Sequence, residues 1–421
     1  MSMIGVQVDD PWASSAAARS GLIGRQADAA LDGAPLMAWS LGGPCDRGID
    51  EGQVLACADL MRDRLSAFGY DLLMLDSRWF ADADGVAIDR HGRPAPIAAR
   101  FPSGAEGRGL APLAEQLRKR GLRLGVYLDR GLPRAAAARR APILGAAGRT
   151  ASDIADLRAG PGDMLSVDNF HPAAQAYYDS LLTLLSGWGV AVVKLGGWRP
   201  SSTHDLAELA AMTRAAHACE PPMALCLSPP GRTERADEPA WSRWVAIDSQ
   251  FDRLAAAALG GGDRWPSTAA ALARGLDDLG CDRPRLSRDE QKALMTLWAI
   301  ARAPLSVGGD LARLDAWTLS LLTNDAVLAV NQRGVAARPM FDRGGLTAWT
   351  SVSSCGRVRY LALFNRTGAP QIPSLPVSAW AELGSGVARE LWSGETGRLE
   401  ALLNRTMPAH GARLFGLQAP A

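Results

Sequence analysis

Three aspartates and one lysine stand where short apolar runs end. Asp76 closes the run from Tyr70 to Leu75, Asp129 the run from Leu122 to Leu128 and Asp248 the run from Trp244 to Ile247, while Lys194 follows the valine-rich stretch from Val190 to Val193. Carboxyl groups gathered at strand ends are candidates for general acid and base, because any two at the right separation can move protons to a leaving group and from a water. A lysine inside a buried strand must meet a carboxylate, a ligand or water, since burying an unpaired charge costs far more than the strand gains. Ser228 follows the run Met223 to Leu227 and Ser249 follows Asp248; a hydroxyl can donate a hydrogen bond but cannot supply the acid. Asp129 and Arg130 together read as an ion pair at a rim, and Trp39, near the end of the run Ala34 to Ser40, reads on its own as core packing.

The elements that position these residues alternate. A strand at Ala34–Ser40 is followed by a helix from Ile49 to Phe68, capped by Asp50, with Val54, Leu55, Ala58, Met61 and Leu65 at helical spacing. Strand Tyr70–Asp76, helix Leu113–Arg120, strand Leu122–Asp129, helix Ala173–Trp188 and strand Val190–Gly196 continue the series. Helix Leu206–Ala218, strands Met223–Leu227 and Trp244–Asp248, helix Glu290–Ala299, strand Pro304–Val307 and helix Leu314–Val330 complete it, with a seventh strand poorly defined between Leu259 and Asp282. Compact apolar strands alternating with helices mark a parallel α/β fold, and seven or eight such units over this length fit a (β/α)8 TIM barrel better than an open sheet. After Arg333 the pattern changes to short strands at Leu346–Val352, Val358–Phe364, Ala388–Leu391 and Ala412–Leu417, with no helix of any length, the signature of a small antiparallel β domain. The expected organisation is an extension over 1–33, a barrel over 34–332 and an antiparallel β-sandwich domain over 333–421.

Composition narrows the chemistry. With 45 basic and 44 acidic residues in 421, nothing points to nucleic acid or an anionic membrane surface as partner. The six cysteines show no metal spacing and no paired framework, which fits reduced thiols in a core. The five histidines lie apart, and neither Gly260-Gly261-Gly262 nor Gly196-Gly197-Trp198 has the context of a phosphate loop or dinucleotide fingerprint, so no metal or nucleotide cofactor is expected. Met1 to Ser15 carries no basic start followed by an apolar run, and no window approaches about 18 uninterrupted apolar residues, so a soluble, cytoplasmic protein is expected.

Several motifs in order resemble glycoside hydrolase family 27, the α-galactosidase and α-N-acetylgalactosaminidase group. They are Gly69-Tyr70-Asp71 leading to Leu75-Asp76, Phe101-Pro102-Ser103-Gly104, Gly121 to Tyr127, Trp188-Gly189-Val190 leading to Lys194, Pro304-Leu305 with Gly309-Asp310-Leu311, and Thr318 to Gln332. The resemblance runs from Ala34 to the C-terminus and implies a (β/α)8 barrel followed by an antiparallel β domain, with a sugar or oligosaccharide as ligand. It implies that Trp39 is a sugar-stacking aromatic, that Asp76 binds sugar hydroxyls and that Lys194 holds the sugar.

The same comparison exposes departures. Retaining hydrolysis needs two carboxyl groups about 5–5.5 Å apart. The family's nucleophile is an aspartate two residues after the strand-four lysine, where this chain has Gly196. Its acid/base is an aspartate four residues after the arginine of a Trp-Arg pair; aligned on Trp244, the arginine becomes Val245 and the acid/base becomes Ser249, with Asp248 one place early. The segment Trp265-Pro266-Ser267-Thr268 lacks the family's sugar-contacting Asp-Pro-Asp type loop. The expectation is a sugar-binding cleft with the usual retaining mechanism disabled, in which Lys194 pairs with Asp76. Two alternatives remain open: an active glycosidase that recruits Asp76, Asp129 or Asp248, the last as acid, and a scaffold or regulatory protein acting through the β domain or a homo-oligomeric interface.

Overall fold

A computed structural model describes residues 34–42, 48–156, 162–196, 203–227, 240–260, 286–384 and 386–418. Its first part is a (β/α) barrel built on six parallel strands among the described residues: β1 Met37–Leu41, β2 Leu72–Leu75, β3 Arg123–Leu128, β4 Val190–Leu195, β5 Ala224–Leu227 and β6 Leu305–Gly308. They lie in the order β5-β4-β3-β2-β1-β6. Helices α1 Glu51–Arg64, α2 Ala111–Arg118, α3 Ala173–Gly187, α4 Thr203–His217, α5 Ala240–Gly260, α6 Arg288–Ile300, α7 Ala316–Leu322 and α8 Asp325–Arg333 accompany them.

Local chemistry accounts for these boundaries. Asp50 closes a capping box on α1 with Gln53, and the helix buries Val54, Cys57, Ala58 and Met61 on one face. Ser287 and Glu290 form the same box on α6. The single helix expected from Leu314 to Val330 is two, because Asn324 accepts from the amides of Ala326 and Val327 and starts α8 afresh.

Alternation along the strands divides the barrel into two surfaces. Trp39, Leu73, Leu75, Val126, Leu128, Val193 and Leu195 belong to the large core cluster that also contains helix side chains such as Leu117, Leu185 and Leu297. Ala38, Leu72, Met74 and Val192 form a separate cluster inside the sheet. Continuing that inner face by twos leads to Ser40, Asp76, Lys194 and Gly196.

One expected strand is not one. Trp244 to Asp248 lies in α5, a 21-residue helix, whose residues Trp244, Ile247, Phe251 and Leu254 are buried at helical spacing. The poorly defined seventh strand falls mostly outside the described residues.

The second part is a six-stranded antiparallel sheet: β7 Gly334–Arg343, β8 Leu346–Ser353, β9 Val358–Asn365, β10 Val387–Glu390, β11 Thr396–Arg398 and β12 Ala412–Gln418, in the order β7-β8-β9-β12-β10-β11. Contrary to the helix-free expectation, it carries short helices at Val377–Leu383 and Leu399–Leu403. It joins the barrel through a stack of Trp244 on His410, with centroids 4.1 Å apart, and a bond from Trp392 Nε1 to Thr296 Oγ1 at 2.9 Å. No helix among the described residues is long and apolar enough to cross a membrane.

Candidate functional site

Strand register assembles the site. Tyr127 of β3 is level with Lys194 of β4, and Leu75 of β2 is level with Val126, so Asp76, one residue on, stands beside Tyr127. Asp76 is fully buried and accepts from Ser40 Oγ at 2.8 Å and from the Lys194 ammonium, both on Oδ2. That ion pair is the one expected for a strand lysine next to a missing anion. The other oxygen, Asp76 Oδ1, and the neighbouring Ser77 Oγ are buried with no hydrogen-bond partner among the described residues. Burying such atoms unpaired is costly, so this corner has room for a donor and an acceptor that the described residues do not supply.

Asp129 lies on the far side of Tyr127. Its Oδ1 accepts from the Tyr127 hydroxyl at 2.8 Å and its Oδ2 from Arg78 Nε at 2.8 Å. Arg78 also reaches Asp163 at 3.1 Å. Burial first, then the Asp129 charge, push the Tyr127 phenol far above its ordinary pKa, so it stays protonated. Level with Lys194 on β5 is Cys226, whose thiol burial pushes up to about 11 with Lys194 pulling the other way, so it is no nucleophile at neutral pH.

Gly196 follows β4 with its amide bonded to Leu128 O at 2.9 Å. A Cβ placed on it would fall 1.9 Å from the Tyr127 hydroxyl oxygen and 2.3 and 2.4 Å from ring atoms Cζ and Cε2. Gly196 is not among the glycines with positive φ. The tyrosine ring, not backbone conformation, is what excludes a side chain there.

Other expected residues fall elsewhere. Trp39 is fully buried between sheet and helices, its indole donating to Gly309 O at 3.2 Å, so it packs the wall instead of offering a face to a sugar. Asp129 and Arg130 do not pair with each other. Neighbours on a strand end diverge, and Arg130 turns to Glu208 at 2.6 Å and Asp205 at 2.5 Å while Asp129 takes Arg78. Asp248 is no strand-end acid: it sits on α5 and accepts from Arg366 Nε of the β domain at 2.6 Å. Ser249 is exposed on the same helix, its carbonyl accepting from Arg253 Nε at 3.2 Å. Ser228 and Trp265 to Thr268 lie outside the described residues. Sequence reasoning passed over Arg78 and Tyr127; the alternation of Tyr127 with Asp129 on β3 was the available signal for the second, whereas nothing local marked the first.

Two concavities lie away from this cluster. One of about 630 Å3 is bordered by Arg93, Asp179 and Trp188, and one of about 350 Å3 in the β domain by Trp380, Glu400 and Asn404; neither touches Asp76, Lys194 or Gly196. The polar cluster inside the barrel remains the stronger candidate, because its orphan oxygens and ion pairs converge at strand ends, where barrels of this kind place their sites. No group of three or more His, Cys, Asp or Glu among the described residues is arranged to hold a metal.

Comparison with known proteins supports the barrel and β-domain architecture. The family described as Alpha galactosidase A (Melibiase_2) matches residues 274–333. Alpha-galactosidase 2 of Arabidopsis thaliana is 26% identical over 408 residues, covering 91% of this chain and 89% of its own, and the α-galactosidase of Cyamopsis tetragonoloba is 27% identical over 404, covering 93% and 88%. Among solved structures, a GH27 β-L-arabinopyranosidase from Geobacillus stearothermophilus superposes with a TM-score of 0.79 at 28% identity, covering 93% of this chain and 98% of its own. A variant of that enzyme, solved in complex with arabinose, gives a TM-score of 0.78 at 28% identity over 93% and 99% of the two chains.

Proposed function

The chain belongs to glycoside hydrolase family 27, the α-galactosidase group, and from that premise we propose that it binds a galactose-like pyranose without the family's two-carboxylate hydrolysis. The observation that carries the proposal is the Tyr127 ring in the space of a Gly196 side chain, since a retaining mechanism needs a carboxylate to attack the anomeric carbon. Glycine supplies none, and the acid/base position is the exposed hydroxyl of Ser249. Losing both groups removes most of the rate that such enzymes provide, leaving binding.

Support for a retained sugar site comes from Asp76. Its carboxylate is held by Ser40 and Lys194, while Oδ1 and the Oγ of the next residue, Ser77, are buried without a hydrogen-bond partner among the described residues. Adjacent donor and acceptor atoms of this kind suit the vicinal hydroxyls of a pyranose. One relative, a β-L-arabinopyranosidase, was solved in complex with arabinose; the L-arabinopyranose ring is that of galactopyranose without the hydroxymethyl group, so ligands of this configuration are the first to try.

The reading of an active glycosidase with recruited carboxylates draws little support. Asp76, Asp129 and Asp248 are each engaged by a cation, Lys194, Arg78 and Arg366, and Asp248 lies on α5 against the β domain instead of at a strand end beside the other two. Titration calorimetry with galactose and L-arabinose, beside turnover of nitrophenyl α-galactoside and β-L-arabinopyranoside, tests the proposal. Binding without turnover is expected; turnover at the level of an ordinary α-galactosidase sinks it.

A further inference from the structure

We propose that Tyr127 takes the place of a side chain at position 196 and lays a neutral hydroxyl on the floor of the cleft, so that the site prefers neutral pyranoses to cationic ring analogues of the same configuration. The inference rests on the sugar-cleft reading and adds to it the charge of the ligand.

Geometry gives the first half. The phenol oxygen and two ring carbons lie 1.9, 2.3 and 2.4 Å from where a Cβ on Gly196 would stand, inside any contact distance. The ring is 5% exposed and tied at its tip to Asp129, whose other oxygen is held by Arg78. It is therefore built into its position from both ends, by the strand and by a part-buried ion pair.

Electrostatics gives the second half. The phenol stays protonated and its proton is given to Asp129, so the group that occupies the space of a Gly196 side chain is a hydroxyl without charge. Among the described residues, the two carboxylates beside Tyr127 are already paired, Asp76 with Lys194 and Asp129 with Arg78. A pyranose analogue with a protonated ring nitrogen would leave its hydration shell and find no carboxylate at 196 to replace it. A neutral sugar surrenders no such charge and keeps the hydroxyl contacts to Asp76 and Ser77.

The test uses the full chain and two probes, D-galactose and its 1-deoxy imino analogue, titrated calorimetrically at a pH below that of the ring nitrogen's deprotonation. Galactose is expected to bind at least as tightly as the imino analogue, and the double variant Gly196→Asp with Tyr127→Ala is expected to shift the ratio towards the analogue by about tenfold or more. An analogue that binds the unmodified chain about tenfold tighter than galactose overturns the preference while leaving the sugar cleft standing. Silence from both probes overturns the cleft reading, and the ligand preference with it. The displacement itself is read separately by a stability cycle: Gly196→Ala is expected to lower the denaturation midpoint in the parent and much less in a Tyr127→Ala background, and equal losses in both contradict it.

Discussion

Arg366, just past the end of β9, donates to Asp248 of α5 across the boundary between barrel and β domain, Nε to Oδ1 at 2.6 Å. The same guanidinium bonds Asp342 at 2.8 Å and Asp252 at 3.1 Å and lies 5.2 Å from the centre of the Phe251 ring. Together with the stack of Trp244 on His410, it fastens helix α5 to the β domain.

Removing that fastening should loosen α5 before anything else. Asp252 and Asp342 are more than half exposed, so solvent screens much of the network, and Arg366→Ala is expected to cost about 1–2 kcal/mol. Hydrogen exchange should quicken in residues 244–256 and remain slow in β1 to β4. Arg366→Lys should recover only part of the loss, because an ammonium cannot span three carboxylates as the planar fork does. Unchanged exchange in α5 would show that the helix is held by packing alone.

Lys194 and Asp76 form a pair in which removing one partner is worse than removing both. Lys194→Met leaves a fully buried carboxylate with only Ser40, among the described residues, to donate to it from a side chain, and a loss of about 3–5 kcal/mol is expected in chemical denaturation. Adding Asp76→Asn should restore a large share. Additive losses in the double variant would mean that the two charges act independently.

Two glycines of the inner sheet face offer a controlled comparison. A Cβ on Gly125 would meet the Met74 thioether, Cε at 2.6 Å and Sδ at 2.9 Å, the far end of a flexible side chain. A Cβ on Gly196 meets a ring anchored to Asp129. Gly196→Ala should therefore cost about 1–3 kcal/mol, and Gly125→Ala distinctly less. The reverse order in urea midpoints would place the Tyr127 ring elsewhere.

Alkaline pH should unfold the protein through its tyrosines. Tyr127, Tyr177 and Tyr178 are buried, and burial raises all three phenols above the ordinary value. A tyrosine ionises near pH ~10 when unfolded, so above that pH the unfolded state binds fewer protons than the native state. The stabilisation is whole below pH ~10 and falls by about 1.4 kcal/mol per pH unit for each of these residues as pH rises towards the native values. Denaturant titrations at rising pH, with phenolate absorbance as second probe, should show ionisation and unfolding together. Smooth titration of all tyrosines in a folded protein would contradict the burial.

What the sequence revealed follows from which forces are local. Strands β1 to β4 were legible because each is a compact apolar run between glycines or polar turns, and α1 because Asp50 and its buried stripe agree. Trp244 to Asp248 misled because a short apolar run does not distinguish strand from helix. The recurrence onward to Phe251 and Leu254 was the arbiter, and it favours α5. Trp39 misled because adjacent strand residues face opposite sides, and only the register shows that Ser40, not Trp39, turns inward with Asp76. The partners Arg78 for Asp129, Arg366 for Asp248 and Tyr127 for Gly196 come from distant parts of the chain or from strand register, where no spacing rule reaches. Gly196 itself stood out only by comparison with a family that has an aspartate there; why it must be glycine needed the ring beside it.

The central claim is that sugar binding survives here without the nucleophile, and calorimetry with galactose on the parent chain and on Asp76→Ala, with hydrolysis of nitrophenyl α-galactoside followed on the same samples, tests it most directly. The account predicts saturable binding in the parent, its loss in Asp76→Ala, and no enzyme-dependent hydrolysis in either. Efficient hydrolysis by the parent, or galactose binding that is indifferent to Asp76, would contradict it.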